Sequence, residues 1–282
     1  MSEQTSVVGS VIETVKTVVY ALLIAGIFRT LFFQPFWIPS GSMKDTLLVG
    51  DFLFVNKMAY GYSYASCPSI KIPAVGLDID AEDFCGFAKD WNGRVWAGDP
   101  KRGDIIVFKH PSSETDYIKR LIGLPGDQIQ VLDGHLNING IEVPRVANGE
   151  FVETFEQQGP MRNTPKCGNG AGTNTVIGFG AECTKEVYTE TLQSGKSYET
   201  LNIRVEQGDN TPVYTVPEGH FFFMGDNRDN SIDSRYRQPI GVGFVPASYL
   251  IGRADRVVFS SAGKSILAFW TWRSDRFLKS LN

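Results

Sequence analysis

One stretch restricts the folding of this chain more than any other. Thr17 to Phe28 carries no charge, and beyond Arg29 the apolar run resumes through Thr30-Leu31-Phe32-Phe33. As one helix, Thr17–Phe33 spans about 25 Å at ~1.5 Å per residue, slightly under a ~30 Å hydrocarbon core. Arg29 lies near the end, where its long stem can return the guanidinium to the headgroups. Phe36 and Trp37 follow where interfacial aromatics belong. The pattern predicts one membrane anchor over 17–34 behind a polar tail, 1–16. A cleaved signal peptide and a buried soluble helix share this pattern. The late start of the run and the bulk of Phe36 and Trp37 beside Ser40-Gly41-Ser42 argue against cleavage there. Lys16 and Arg29 flank the run on opposite sides, so charge does not set its orientation.

Directly after the run comes Ile38-Pro39-Ser40-Gly41-Ser42-Met43. Pro39 fixes one φ and biases Ile38 toward extended geometry, while Gly41 permits a turn or close approach. Such a loop can aim a serine Oγ and its own N–H at one point, as a nucleophile with an oxyanion donor requires. An ordinary loop leaving a membrane helix would look similar.

The 282 residues, 42% hydrophobic, are enough for a sizeable core. With 27 basic against 31 acidic residues and no basic run, no nucleic-acid partner is expected. Cys67, Cys85, Cys167 and Cys183 form no C-x-x-C pair, so zinc spacing is absent and no metal or other cofactor is expected. In an extracytoplasmic setting disulfides are expected. Sequence neighbours would pair as Cys67–Cys85 and Cys167–Cys183, one of three connectivities. His110, His135 and His220 lack a partner that would make a catalytic triad.

Strand signals recur at Asp51–Lys57, Asp104–Phe108 and Tyr117–Ile122, and Leu124-Pro125-Gly126-Asp127 suits a type II turn. Gln128–Leu132, Asp133-Gly134 and His135–Asn139 read as a hairpin. The stretch 61–100 reads as an insertion or extended loop, and 144–213 as a smaller β-domain. His220–Met224 is a buried-strand candidate. The segment 261–282, with Trp270 and Trp272 among basic residues, reads as amphipathic, resting on a membrane surface or packed on the domain. A serine needs a base. Lys44 is near Ser42 but reads as solvent-facing beside Asp45. Lys119 lies between apolar strand residues, where desolvation would lower its pKa.

Four ordered blocks then carry a resemblance: Ile38–Met43, Arg102-Gly103-Asp104-Ile105, Tyr117–Arg120 with Gly123–Asp127, and Gly225–Arg235. Together with the anchor they resemble the type I bacterial signal peptidases. The resemblance implies a mostly β protein: a large antiparallel catalytic β-fold (35–143 and 214–260), a smaller inserted β-domain, and an N-terminal transmembrane helix. It implies a serine endopeptidase of the cytoplasmic membrane, its catalytic domain on the outer side. It would remove signal peptides from exported preproteins after small-x-small sites. By the same resemblance Ser42 is the nucleophile and Lys119 the general base. The Ser40 hydroxyl and Ser42 N–H would form the oxyanion hole, Ser231 would orient the lysine, and Asp233 and Arg235 would hold the loop. Asp45 stands where the family usually has proline, which leaves the stiffness of that loop open. A self-cleaving repressor-type Ser/Lys peptidase would need a DNA-binding domain where this chain has its apolar helix. A catalytically silent scaffold for exported chains would not need both Ser42 and Lys119.

Overall fold

The computed structural model describes residues 7–67, 70–72, 76–79, 83, 85–88, 93–96, 98–159, 161–170, 177–263 and 266–281. Helix α1 (Val7–Leu31) is exposed and apolar around its circumference, with Leu22, Leu23, Ile24 and Ile27 all open. Its apolar part, Gly9–Leu31, reaches about 34 Å at ~1.5 Å per residue, long enough to cross a bilayer. The helix begins ten residues before the expected start at Thr17. Val11, Ile12 and Val15 extend its apolar surface through the supposed tail, and a Lys16–Glu13 pair at 3.0 Å joins the charges along it. It ends at Leu31 because Pro35, just ahead, holds Gln34 in extended geometry.

Sixteen strands follow among the described residues. The first nine are β1 (Phe33–Trp37), β2 (Asp51–Asn56), β3 (Ile70–Ile72), β4 (Leu77–Ile79), β5 (Ile105–Lys109), β6 (Asp116–Gly123), β7 (Gln128–Leu132), β8 (His135–Ile138) and β9 (Ile141–Glu142). Next come β10 (Arg145–Thr154), β11 (Glu182–Thr191), β12 (Ser197–Asn202), β13 (Tyr214–Thr215), β14 (His220–Met224), β15 (Val245–Pro246) and β16 (Leu250–Ser260). The main sheet runs β1-β2-β16-β5-β6-β14-β15, antiparallel throughout. Strand β5 is central and buries Ile105–Phe108 consecutively, as a strand covered on both faces does. The β7–β8 turn places Asp133 and Gly134 both at positive φ, the geometry a two-residue type I′ hairpin demands. The mostly β fold with an N-terminal apolar helix is as expected.

The insertion forms its own antiparallel sheet, β10-β11-β12. It is not sealed off, because Leu192 and Tyr198 bury themselves with Ile122, Ile129, Leu136 and Phe222 of the larger fold. Within the 61–100 stretch, β3 and β4 pair and Cys67 is bonded to Cys85, while Cys167–Cys183 closes a loop of the insertion.

The C-terminal segment carries two 3₁₀ turns, Phe269–Thr271 and Ser274–Arg276, rather than a helix. It is fastened by Arg276, buried and bidentate on Asp51 at 3.0 and 2.6 Å. Removing one partner of a buried ion pair typically costs about 3–5 kcal/mol. Leu48 N–H and Ser260 Oγ also donate to Asp51, which softens the loss. Arg276→Ala should therefore lower the melting temperature by on the order of 10 °C. Thermal unfolding in detergent measures it, and an unchanged transition would show that the pair does not hold this segment.

Candidate active site

Ser42 sits in the loop between β1 and β2, whose ends are closed by Ile38 N–H to Asp51 O and Gly50 N–H to Ile38 O, both 2.9 Å. Ile38, Met43 and Leu47 are buried with Leu53, Ala254 and Val257, and pin the loop from beneath. Lys119 projects from β6, in register with Ile106 of β5. Its Nζ lies 2.6 Å from Ser42 Oγ and 3.0 Å from the Ile118 carbonyl. Both groups are buried. Burial pulls the Lys119 pKa down to about 8, against the opposing attraction of Asp233 and Asp226. Asp226 is bidentate with Arg120 at 2.8 and 2.7 Å, and Asp233 is doubly bonded to Arg235 at 2.9 and 3.0 Å.

The segment 225–235 is the clamp over this pair. Asn227 donates its N–H to Ser42 O at 3.1 Å and its Nδ2 to Gly41 O at 2.9 Å. A Cβ on Gly225 would lie 2.3 Å from Ser231 Oγ and 2.6 Å from the Ser42 carbonyl oxygen, so only glycine fits between them. Asp233 accepts from Gly225 N–H at 3.0 Å, and Arg235 donates to the Arg228 carbonyl at 2.6 Å. Asp233 and Arg235 thus brace the loop internally.

Ser231 differs from its expected placement. It is buried beside Gly225, and Lys119 makes its hydrogen bonds to Ser42 and Ile118 instead. Ser40 is exposed, on the rim of a cavity of about 270 Å³ that also takes in Ser42, Lys44, Gln158 and Lys166. His110 is buried, its Nδ1 accepting from the Ser112 and Ser113 N–H groups, which makes it the cap of a turn.

Lys44 overturns the solvent-facing reading. It is 3% exposed, with Nζ 2.5 Å from Glu153 Oε2 and 2.8 Å from Gln158 Oε1. Lys185 takes the other Glu153 oxygen at 2.5 Å. Burial raises the Glu153 carboxyl, but the two ammonium groups outweigh it and hold its pKa below the usual range. Nothing local signals this, since Glu153 lies 109 residues away. Asp45 meets Glu199 of β12, whose carboxyl that hydrogen bond pushes up to about 7. Sequence reasoning also missed Arg120–Asp226 and the bidentate Arg228–Glu190 pair at 2.5 and 2.6 Å, which joins β11 to the clamp.

A family model described as signal peptidase, peptidase S26, matches residues 11–259. Signal peptidase I of Rickettsia typhi is 35% identical over 251 residues, covering 86% of this chain and 78% of that protein. That of Rickettsia canadensis is 35% identical over 254 residues, covering 87% and 79%. A crystal structure of a signal peptidase I from Enterococcus faecalis matches 55% of this chain and 96% of its own at 27% identity, with a TM-score of 0.28. With a serine positioned this way, the chain falls in the class of serine endopeptidases. It belongs to the signal peptidase, peptidase S26, family.

Gly225→Ala tests the clamp. The methyl has no room unless the Ser42 carbonyl or Ser231 moves, and a displacement of about 1 Å can cost ~100-fold in rate. The kcat should fall by about that factor while the protein stays folded; full activity in Gly225→Ala would sink the clamp assignment.

Proposed function

We propose that this protein removes signal peptides from exported preproteins with Ser42 as nucleophile and Lys119 as general base. The observation that carries this reading is the 2.6 Å approach of a buried lysine amine to a serine hydroxyl. A serine hydroxyl attacks only when its proton has somewhere to go. With its pKa drawn down to about 8 by burial, a substantial fraction of Lys119 is neutral near pH 8 and can accept that proton. Ser42 Oγ then bonds to the scissile carbonyl carbon. The oxyanion is met by the Ser42 N–H and the Ser40 hydroxyl, the latter turning inward from the rim once substrate is seated. The lysine returns its proton to the departing amine, and water attacks the acyl-enzyme by the same route reversed.

Cleavage after small-x-small sites is carried over from the family resemblance. The membrane is the second partner, met by α1. The two disulfides favour an oxidising compartment, and so the outer side of the cytoplasmic membrane, for the β-domain. Asp233 and Arg235 support the clamp, and Ser231 fills the space beside Gly225.

Two outcomes test the chemistry, both measured on a synthetic signal-peptide substrate with full-length protein in detergent. Lys119→Arg keeps the charge but cannot deprotonate, so cleavage should fall at least ~10³-fold, consistent with loss of a general base. Normal cleavage by this variant would remove Lys119 from the mechanism. In the unaltered protein kcat/KM should rise with pH through about 8 and then level off, because only the neutral amine is competent above that pKa. A flat profile between pH 6 and 10 would mean another group takes the proton. Peptides with Phe in place of Ala at the first or third position before the cut should be cleaved far more slowly, through steric exclusion. Equal rates would refute the small-residue pockets.

A further inference from the structure

Where α1 meets the β-domain there is a second cavity, about 150 Å³, walled by Arg29, Lys57, Lys109 and Asp116. Gly26 and Thr30 of the helix also face it, so it lies within about 8 Å of the helix end at Leu31, counted at ~1.5 Å per residue. That is headgroup depth for a span ending there.

Its charges do not balance. Among the described residues three cations face one carboxylate, and Asp116 is already engaged with Lys109 at 3.4 Å. Lys57 is 2% exposed, and its Nζ donates at 2.8 Å to the Ser66 carbonyl, a neutral acceptor. An ammonium has three donors, so others remain for a ligand. Burial draws its pKa down to about 8, Arg29 and Lys109 push the same way, and Asp116 alone among the named charges opposes them. A desolvated cation with like charges beside it is a standing penalty that a bound anion would relieve.

We propose that this cavity binds the phosphate of a phospholipid headgroup, with Lys57 as the buried donor and Arg29 and Lys109 at the mouth. The cavity accommodates the phosphate, while the acyl chains run along the exposed Val19, Leu22 and Leu23 on the same face of α1. A lipid held there ties the domain to the bilayer at a fixed height. The assignment is independent of the chemistry at Ser42, because neither Ser42 nor Lys119 lines this cavity.

Native mass spectrometry of the full chain released from detergent micelles, with dioleoyl-phosphatidylglycerol added, reads the binding directly. The unaltered protein should retain one lipid. Lys57→Gln should weaken retention at least tenfold. Arg29→Gln, on the exposed wall and therefore safe for folding, should weaken it several-fold. Lys16→Gln makes the same charge change away from the cavity and should leave retention unchanged. Inorganic phosphate at equal concentration should not displace the lipid; displacement would assign the site to free phosphate and overturn the lipid reading. Equal losses in Arg29→Gln and Lys16→Gln would reduce the effect to general charge attraction and refute the site. Unchanged retention in both Lys57→Gln and Arg29→Gln would refute it outright.

Discussion

The constraint on which the site depends is the clamping of Ser42 against Lys119 by the segment 225–235. The Ser42 loop and β6 come from different parts of the chain, and a buried lysine gains little from being close to a serine. What brings them to 2.6 Å is the seating of Asn227 on the Gly41 and Ser42 carbonyls. That seating is held in turn by buried guanidinium–carboxylate pairs: Arg120–Asp226, Asp233–Arg235 and Arg228–Glu190. Such pairs contribute little net stability relative to apolar packing, but losing one partner is expensive. Their value here lies in geometry, since bidentate contacts fix direction as well as distance.

The same pairs solve an electrostatic problem. A base of this kind must be able to lose its proton, yet Asp226 and Asp233 both favour the charged lysine. Each aspartate is already neutralised by its own arginine, so burial prevails and the pKa comes down to about 8. Carboxylates without those arginines would hold the ammonium charged and inactive. The arginines of the clamp thus position the serine loop and quiet the field at the lysine.

The inserted sheet takes part in this arrangement. Glu153 of β10 and Gln158 hold Lys44, two residues beyond Ser42, Lys185 of β11 takes the other Glu153 oxygen, and Glu199 of β12 meets Asp45. Glu190 of β11 holds Arg228. The stiffness that a proline would supply by fixing φ comes here from charged and hydrogen-bonded contacts with a neighbouring sheet. The insertion thereby braces both sides of the candidate site, the Ser42 loop and the clamp.

Near neighbours along the chain encode its local conformations and its apolar run. The apolar run dictated a long apolar helix, fit for a membrane anchor, which begins at Val7 and takes in Val11, Ile12 and Val15 among scattered charges. Asp133-Gly134 dictated a hairpin, because positive φ at both positions is a local demand. The ordered blocks singled out Ser42 and Lys119, which the fold brings to 2.6 Å of each other. Burial and long-range pairing came with the folded arrangement. Lys44 looked exposed beside Asp45 until Glu153, 109 residues away, was folded onto it. Ser231 looked like a partner for Lys119 until the fold set it beside Gly225 instead. A local pattern can specify a backbone conformation, but desolvation and ion pairing depend on which distant surface closes over a side chain, and no window of neighbouring residues contains that information.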